Sequence, residues 1–169
     1  MKNTIKTIAI WVLVGGIFVG FLWILSRSQA SSVSSSKNLT ESVSQLAAAE
    51  TFYDFGTISM KDGLVNHMFK VTNSSDKDIN VKKVSTSCMC TSAYIENKGG
   101  EKGPFGMEGM GYVPSANEII KAGESRDIKV VYDPNAHGPA GVGTIDRLIY
   151  LTDASGSTFQ LEIKAEVTP

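Results

Sequence analysis

Only two cysteines occur in 169 residues, and they stand one residue apart, as Cys88 and Cys90 in "VSTSCMCTSAY". Charge of one sign is lacking as well. Sixteen Lys and Arg face 17 Asp and Glu, leaving a formal net charge of -1 and no basic field to gather nucleic acid phosphates. Nucleic acid is therefore not an expected partner. There is also no phosphate-binding glycine loop, no dinucleotide fingerprint and no metalloprotease helix, and no peptidase or transpeptidase signature surrounds either cysteine. A cysteine nucleophile needs a histidine base and an orienting group, which His137 with Asp133 or Asp146 would supply by assumption alone. The expectation is a protein that is not an enzyme.

What is present begins with an apolar run. Residues 8–25, "IAIWVLVGGIFVGFLWIL", carry no charge. At ~1.5 Å per residue such a helix covers roughly 27 Å, whereas the apolar core of a cleavable signal is only about 7 to 15 residues long. A transmembrane signal anchor is expected, with Ser28-Gln29-Ala30 as the competing cleavage site. Lys2 and Lys6 favour a cytoplasmic tip at 1–7 and place the remainder outside a cell membrane, periplasmic or extracellular. Residues 26–46, "SRSQASSVSSSKNLTESVSQL", are too rich in serine and too poor in apolar groups to order themselves, and read as a flexible tether.

From residue 47 to 169 the period is two. Val65, His67, Phe69 and Val71 share one face, as do Ile128, Val130 and Tyr132. The last run is the clearest: Phe159, Leu161, Ile163, Ala165 and Val167 alternate with polar residues, one dry row against one wet. Turn chemistry at 73–76, 121–124, 133–135 and 153–156 separates the runs, and no amphipathic helix of ten residues is visible. About seven short strands argue for an all-β fold, an immunoglobulin-like antiparallel β-sandwich preceded by one N-terminal transmembrane helix. Ile79 and Val81 are inward on odd positions and Val84 on an even one, so a bulge is required near Lys82 and Lys83. A glycine- and methionine-rich insertion at 98–112 reads as a long connection without structure of its own, which is usually functional or disordered.

Four motifs in order, "YDFGTI" (53–58), "HMFKVTN" (67–73), "STSCMCT" (85–91) and "KAGE" (121–124), resemble a bacterial immunoglobulin-like (ASH/MSP-like) domain family of unknown function. Its members read Asp-Phe-Gly-Thr-Ile, Phe-x-x-x-Asn, Ser-Cys-Gly-Cys-Thr and Pro-Gly-Glu. Met89 stands where the family has glycine, and the 98–112 insertion exceeds the usual short connection. The resemblance implies an exported sandwich, often membrane-tethered, and no activity.

The cysteine pair keeps three readings open. In an extended strand Cα atoms i and i+2 lie roughly 6.6 Å apart, near the upper limit for a disulfide, so a bond there would be reducible. The same geometry puts both sulfurs on one face, where two soft donors favour Cu(I) or Zn(II). Met107, Met110 and His137 are candidate additional ligands, and His67, on an apolar row, reads as a partly buried structural histidine. The alternatives are a thiol-redox pair and a small buried pair in a purely structural, partner-binding domain. The leading expectation is a membrane-anchored binding or scaffold domain holding Cu(I) at Cys88 and Cys90.

Overall fold

A computed structural model of the chain describes residues 44–169. The expected anchor at 8–25 and the tether up to residue 43 lie outside the described residues. Among those described, no helix is long and apolar enough to cross a membrane.

Ten strands form two five-stranded sheets. They are β1 (Leu46–Ala48), β2 (Phe52–Ser59), β3 (Val65–Asn73), β4 (Ile79–Thr86), β5 (Thr91–Asn97), β6 (Gly100–Phe105), β7 (Glu118–Ile120), β8 (Ser125–Tyr132), β9 (Gly143–Asp153) and β10 (Thr158–Thr168). One sheet has the order β1-β3-β8-β5-β6 and the other β2-β10-β9-β4-β7. All pairs are antiparallel except β2 with β10, which run parallel. The core is the pair of inner rows. Phe69 and Val71 of β3 and Ile128, Val130 and Tyr132 of β8 come from the first sheet; Ile149 and Leu151 of β9 and Leu161 and Ile163 of β10 come from the second, all fully buried. Burying each such aliphatic side chain contributes about 1.5–3 kcal/mol, which is what two amphipathic sheets gain by stacking.

Three expectations are corrected. The strand count is ten rather than seven, because β1, β6 and β7 are too short or too glycine-rich to show a period of two. Leu46, assigned by composition to the tether, opens β1 and is buried. The 98–112 insertion is not structureless: β6 forms a hairpin with β5 inside it. Gly103 permits that approach, because a Cβ there would stand 2.8 Å from the Tyr94 ring and 2.9 Å from the Ala93 carbonyl. The chain from the rest of the insertion to β7 is strapped along β4, with Thr86 N donating to Gly106 O at 3.2 Å and Ala116 N to Lys82 O at 2.9 Å. The bulge on β4 is present, between Val81 and Lys83, and carries the inward row from odd to even positions.

Candidate metal and thiol centre

The cysteines do not lie in a strand. Residues 87–90 form the turn by which the chain leaves β4 in one sheet and enters β5 in the other. Thr91 N donates to Cys88 O at 3.2 Å, closing the turn, and the buried Thr86 hydroxyl bonds both Cys88 O (2.9 Å) and Thr91 O (3.0 Å). The expectation of an extended segment with both sulfurs on one face is therefore corrected. The turn draws the Cα atoms of Cys88 and Cys90 to 5.3 Å, inside the range a disulfide spans, and the two sulfurs are paired.

The turn is pinned from both sides. Ser87 N donates to Leu148 O on β9 and Leu148 N to the Ser87 hydroxyl, each at 2.9 Å, while Asp133 N, just past β8, donates to Cys90 O at 2.9 Å. The second crossing between the sheets, from β8 to β9, thus runs beside the first. It carries His137. Asp133 caps its own turn by accepting from Asn135 N at 2.8 Å, and Asn135 Nδ2 donates to Met60 O at 2.8 Å, which fixes the loop that presents the imidazole. His137 Nε2 lies 3.2 Å from Cys88 Sγ, although the two residues are 49 apart in sequence.

Cys88, Cys90 and His137 bring their donor atoms within 4.8 Å of one another. Two donors held at ~2.3 Å from one ion at a tetrahedral angle stand roughly 3.8 Å apart, so this spread suits a shared ion once the sulfurs are free thiolates. Two thiolates and an imidazole form a soft to borderline donor set that fits Cu(I) or Zn(II) and does not fit Mg(II) or Ca(II). Exposure differs between the three: Cys90 is buried, Cys88 half-buried and His137 exposed.

Met107 and Met110 were the other expected donors. Met107 bridges to Thr86, two residues ahead of Cys88, and both methionines stand on the strap after β6 with side chains at least a third exposed. Met89, at the apex of the cysteine turn, is also exposed. His67 belongs elsewhere: its ring stacks on Tyr53 at 3.6 Å and its Nε2 lies 2.9 Å from Glu50 Oε2, a structural arrangement as expected from its apolar row.

The sequence reading missed Arg147. It occupies the inward row of β9 between buried Ile145 and Ile149, is itself half-buried, and donates from Nε to Cys90 Sγ at 3.1 Å. Its other bond is from Nη1 to Asp146 O at 2.8 Å, and among the described residues no carboxylate pairs with it. The charge also reaches Tyr132: burial raises that phenol above its ordinary value, with Arg147 opposing and Asp133 adding to the shift. An arginine at a position where the alternation "TIDRLIYL" demands an apolar residue was the signal available.

Fold and site together define an all-β sandwich with a Cys-x-Cys turn at one end. Residues 46–107 match the model of a bacterial family described as a protein of unknown function (DUF1573); the match includes both cysteines and ends before His137 and Arg147. No curated protein sequence matches the chain. A protein of unknown function from Porphyromonas gingivalis W83 is similar in structure, with a TM-score of 0.51 and 16% identity over 72% of this chain and 46% of that one. The Vibrio cholerae VesB protease follows at 0.49 and 16% over 75% and 33%, and the Pseudomonas aeruginosa CupB2 chaperone at 0.37 and 11% over 72% and 55%. The chain spans under half the length of the first of these, and the likeness shows the fold alone.

Proposed function

We propose that the chain is a membrane-anchored, extracytoplasmic sandwich of immunoglobulin type, a non-enzymatic binding module that captures a soft metal ion, Cu(I) first, through Cys88, Cys90 and His137. The observation that carries this reading is the approach of three donors from two separate inter-sheet crossings. Met107 and Met110 act as accessory thioethers on the neighbouring strap, and a protein partner receives or delivers the ion. The anchor is the apolar run at 8–25.

The test is a titration of the full chain, reduced and oxygen-free in detergent, with Cu(I) against a chromophoric chelator. One ion per chain is expected, lost in Cys88→Ala with Cys90→Ala and weakened at least about tenfold in His137→Ala, as for loss of one ligand of three. Wild-type protein that cannot take Cu(I) from the competitor defeats the proposal. A second reading is favoured by the pairing of the two sulfurs and by the cation on the buried one: the pair cycles between disulfide and dithiol, the dithiol being the form that takes metal.

A further inference from the structure

The two sulfurs stand in different surroundings, and the difference gives a direction. Cys88 is half-buried and faces the exposed His137, whereas Cys90 is 3% exposed and receives the Arg147 guanidinium. A half-buried guanidinium with no carboxylate is an expensive arrangement unless an anion forms beside it. While the sulfurs are joined, Arg147 has, among the described residues, only a neutral sulfur and a backbone carbonyl as partners. Breaking the bond so that the electron pair stays on Cys90 supplies the missing anion, at 3.1 Å from Nε.

We propose that this centre exchanges electrons with a dithiol, by attack at Cys88 and departure of Cys90 as a thiolate held by Arg147. This rests on the thiol-redox reading and adds to it the attacked sulfur, the leaving sulfur and the substrate class. In the first step a thiolate of the incoming dithiol bonds to Cys88 Sγ, the Cys88–Cys90 bond breaks, and its electron pair stays on Cys90. In the second, the other sulfur of the dithiol attacks its partner in the mixed disulfide, and the electron pair of that bond goes to Cys88, which takes up a proton. The incoming dithiol leaves as a disulfide, oxidised by two electrons, and the domain holds a dithiol. Of the two protons lost by the substrate, one ends on Cys88 and the other in solvent, because Cys90 stays anionic. The opposite order, attack on Cys90, is blocked by its burial and leaves Arg147 without an anion.

Among the described residues, Arg147 is the one charged group that donates to Cys90 Sγ; the neutral Thr91 hydroxyl lies further off, at 3.7 Å. Tyr132 and Asp133 come from the end of β8, His137 from the following loop and Arg147 from β9; of these Arg147 alone donates to Cys90 Sγ. The metal reading and the exchange reading then become two states of one site, since exchange delivers the dithiol that metal capture requires.

The experiment uses the full chain in detergent, air-oxidised, with glutathione and dithiothreitol as two separate probes. After acid quench, peptide mass spectrometry is expected to find the glutathionyl group on Cys88 with Cys90 free. Arg147→Met is expected to slow reduction and to lower the equilibrium constant against glutathione, each at least about tenfold, and Arg147→Lys to recover most of both. Glutathione on Cys90, or Arg147→Met indistinguishable from wild type, overturns the proposal. Faster reduction by dithiothreitol than by glutathione at equal thiol is expected of a dithiol substrate, and equal rates assign the site to monothiols and overturn the substrate class. Two free thiols in the oxidised chain overturn both the exchange and the redox reading beneath it. Cu(I) binding by the reduced chain is measured alongside, so that the metal reading stands or falls separately.

Discussion

Asn73 is the residue whose removal the structure prices most fully. Its side chain is wholly buried and makes four bonds: Nδ2 donates to Lys77 O at 2.7 Å and Ile120 O at 2.8 Å, while Oδ1 accepts from Ser75 N at 3.0 Å and the Ser75 hydroxyl at 2.7 Å. One amide thus ties the β3–β4 turn to the end of β7. In Asn73→Ala, Lys77 O keeps the Ser75 hydroxyl at 2.9 Å, and Ser75 N turns to solvent, but Ile120 O loses its side-chain donor. Each of the four lost bonds costs about 0.5–1.5 kcal/mol, so the sum is about 2–6 kcal/mol. That is a large part of the roughly 5–15 kcal/mol that holds an ordinary domain together. Urea unfolding of the full chain in detergent, followed by far-ultraviolet circular dichroism, measures it. The midpoint is expected to fall with the slope unchanged, and Asn73→Asp is expected to be no better than alanine, because a carboxylate cannot donate to the two carbonyls. A loss under about 1 kcal/mol in Asn73→Ala refutes the reasoning.

Two further outcomes are expected. Burial works to raise the pKa of Glu118, but hydrogen bonds and charge from Lys102 and Arg126 outweigh it and hold the folded-state value below the ordinary one near 4.5. A depressed carboxyl stabilises the fold above its unfolded pKa and loses that contribution as pH falls through the folded one. Thermal unfolding between pH 6 and about 2 is therefore expected to show a falling acid limb that Glu118→Gln flattens, and an unaltered limb in that variant counts against the ion-pair account. Leu46→Ala is expected to destabilise the sandwich by about 2–3 kcal/mol in the same urea assay, since a buried leucine in β1 loses both transfer energy and packing; no change would return Leu46 to the tether.

How far the molecule is legible from its residues depends on the range of the interaction. The dry rows of β3, β8 and β10 are written locally, residue by residue, and so is the bulge at Lys82 and Lys83, because a change of parity within one strand admits no other geometry. The turn at Cys88 is not local. It is held by Thr86 from one side and by Asp133 and Leu148, 43 and 61 residues beyond their partners in the turn, bonds that no short window contains. His137 was singled out for its loop and its chemistry, yet its place beside Cys88 follows only from two sheet-to-sheet crossings meeting at one end of the sandwich. Arg147 broke an apolar alternation in plain view. The sulfur that explains it lies 57 residues away, so the break was readable as an anomaly and its cause was not.

Whether the sulfur pair serves the fold or serves chemistry is decided by one double variant. A link between residues two apart closes a loop of three, for which the chain-entropy relation gives only about 1.6 kcal/mol. Truncating the buried Cys90 to alanine adds about 1 kcal/mol of lost packing, and Arg147 adds little to the difference, because beside the paired sulfurs it already lacks an anion. Cys88→Ala with Cys90→Ala is thus expected to cost no more than about 2–3 kcal/mol in the oxidised chain. The turn itself survives in the variant, because Thr86, Ser87 and Asp133 hold its backbone without either sulfur. A loss above about 4 kcal/mol would make the pair a structural staple and remove the reason for assigning it metal or electrons. A small loss, together with abolished Cu(I) uptake and abolished exchange, leaves chemistry as the reason two thiols stand beside a histidine and an arginine.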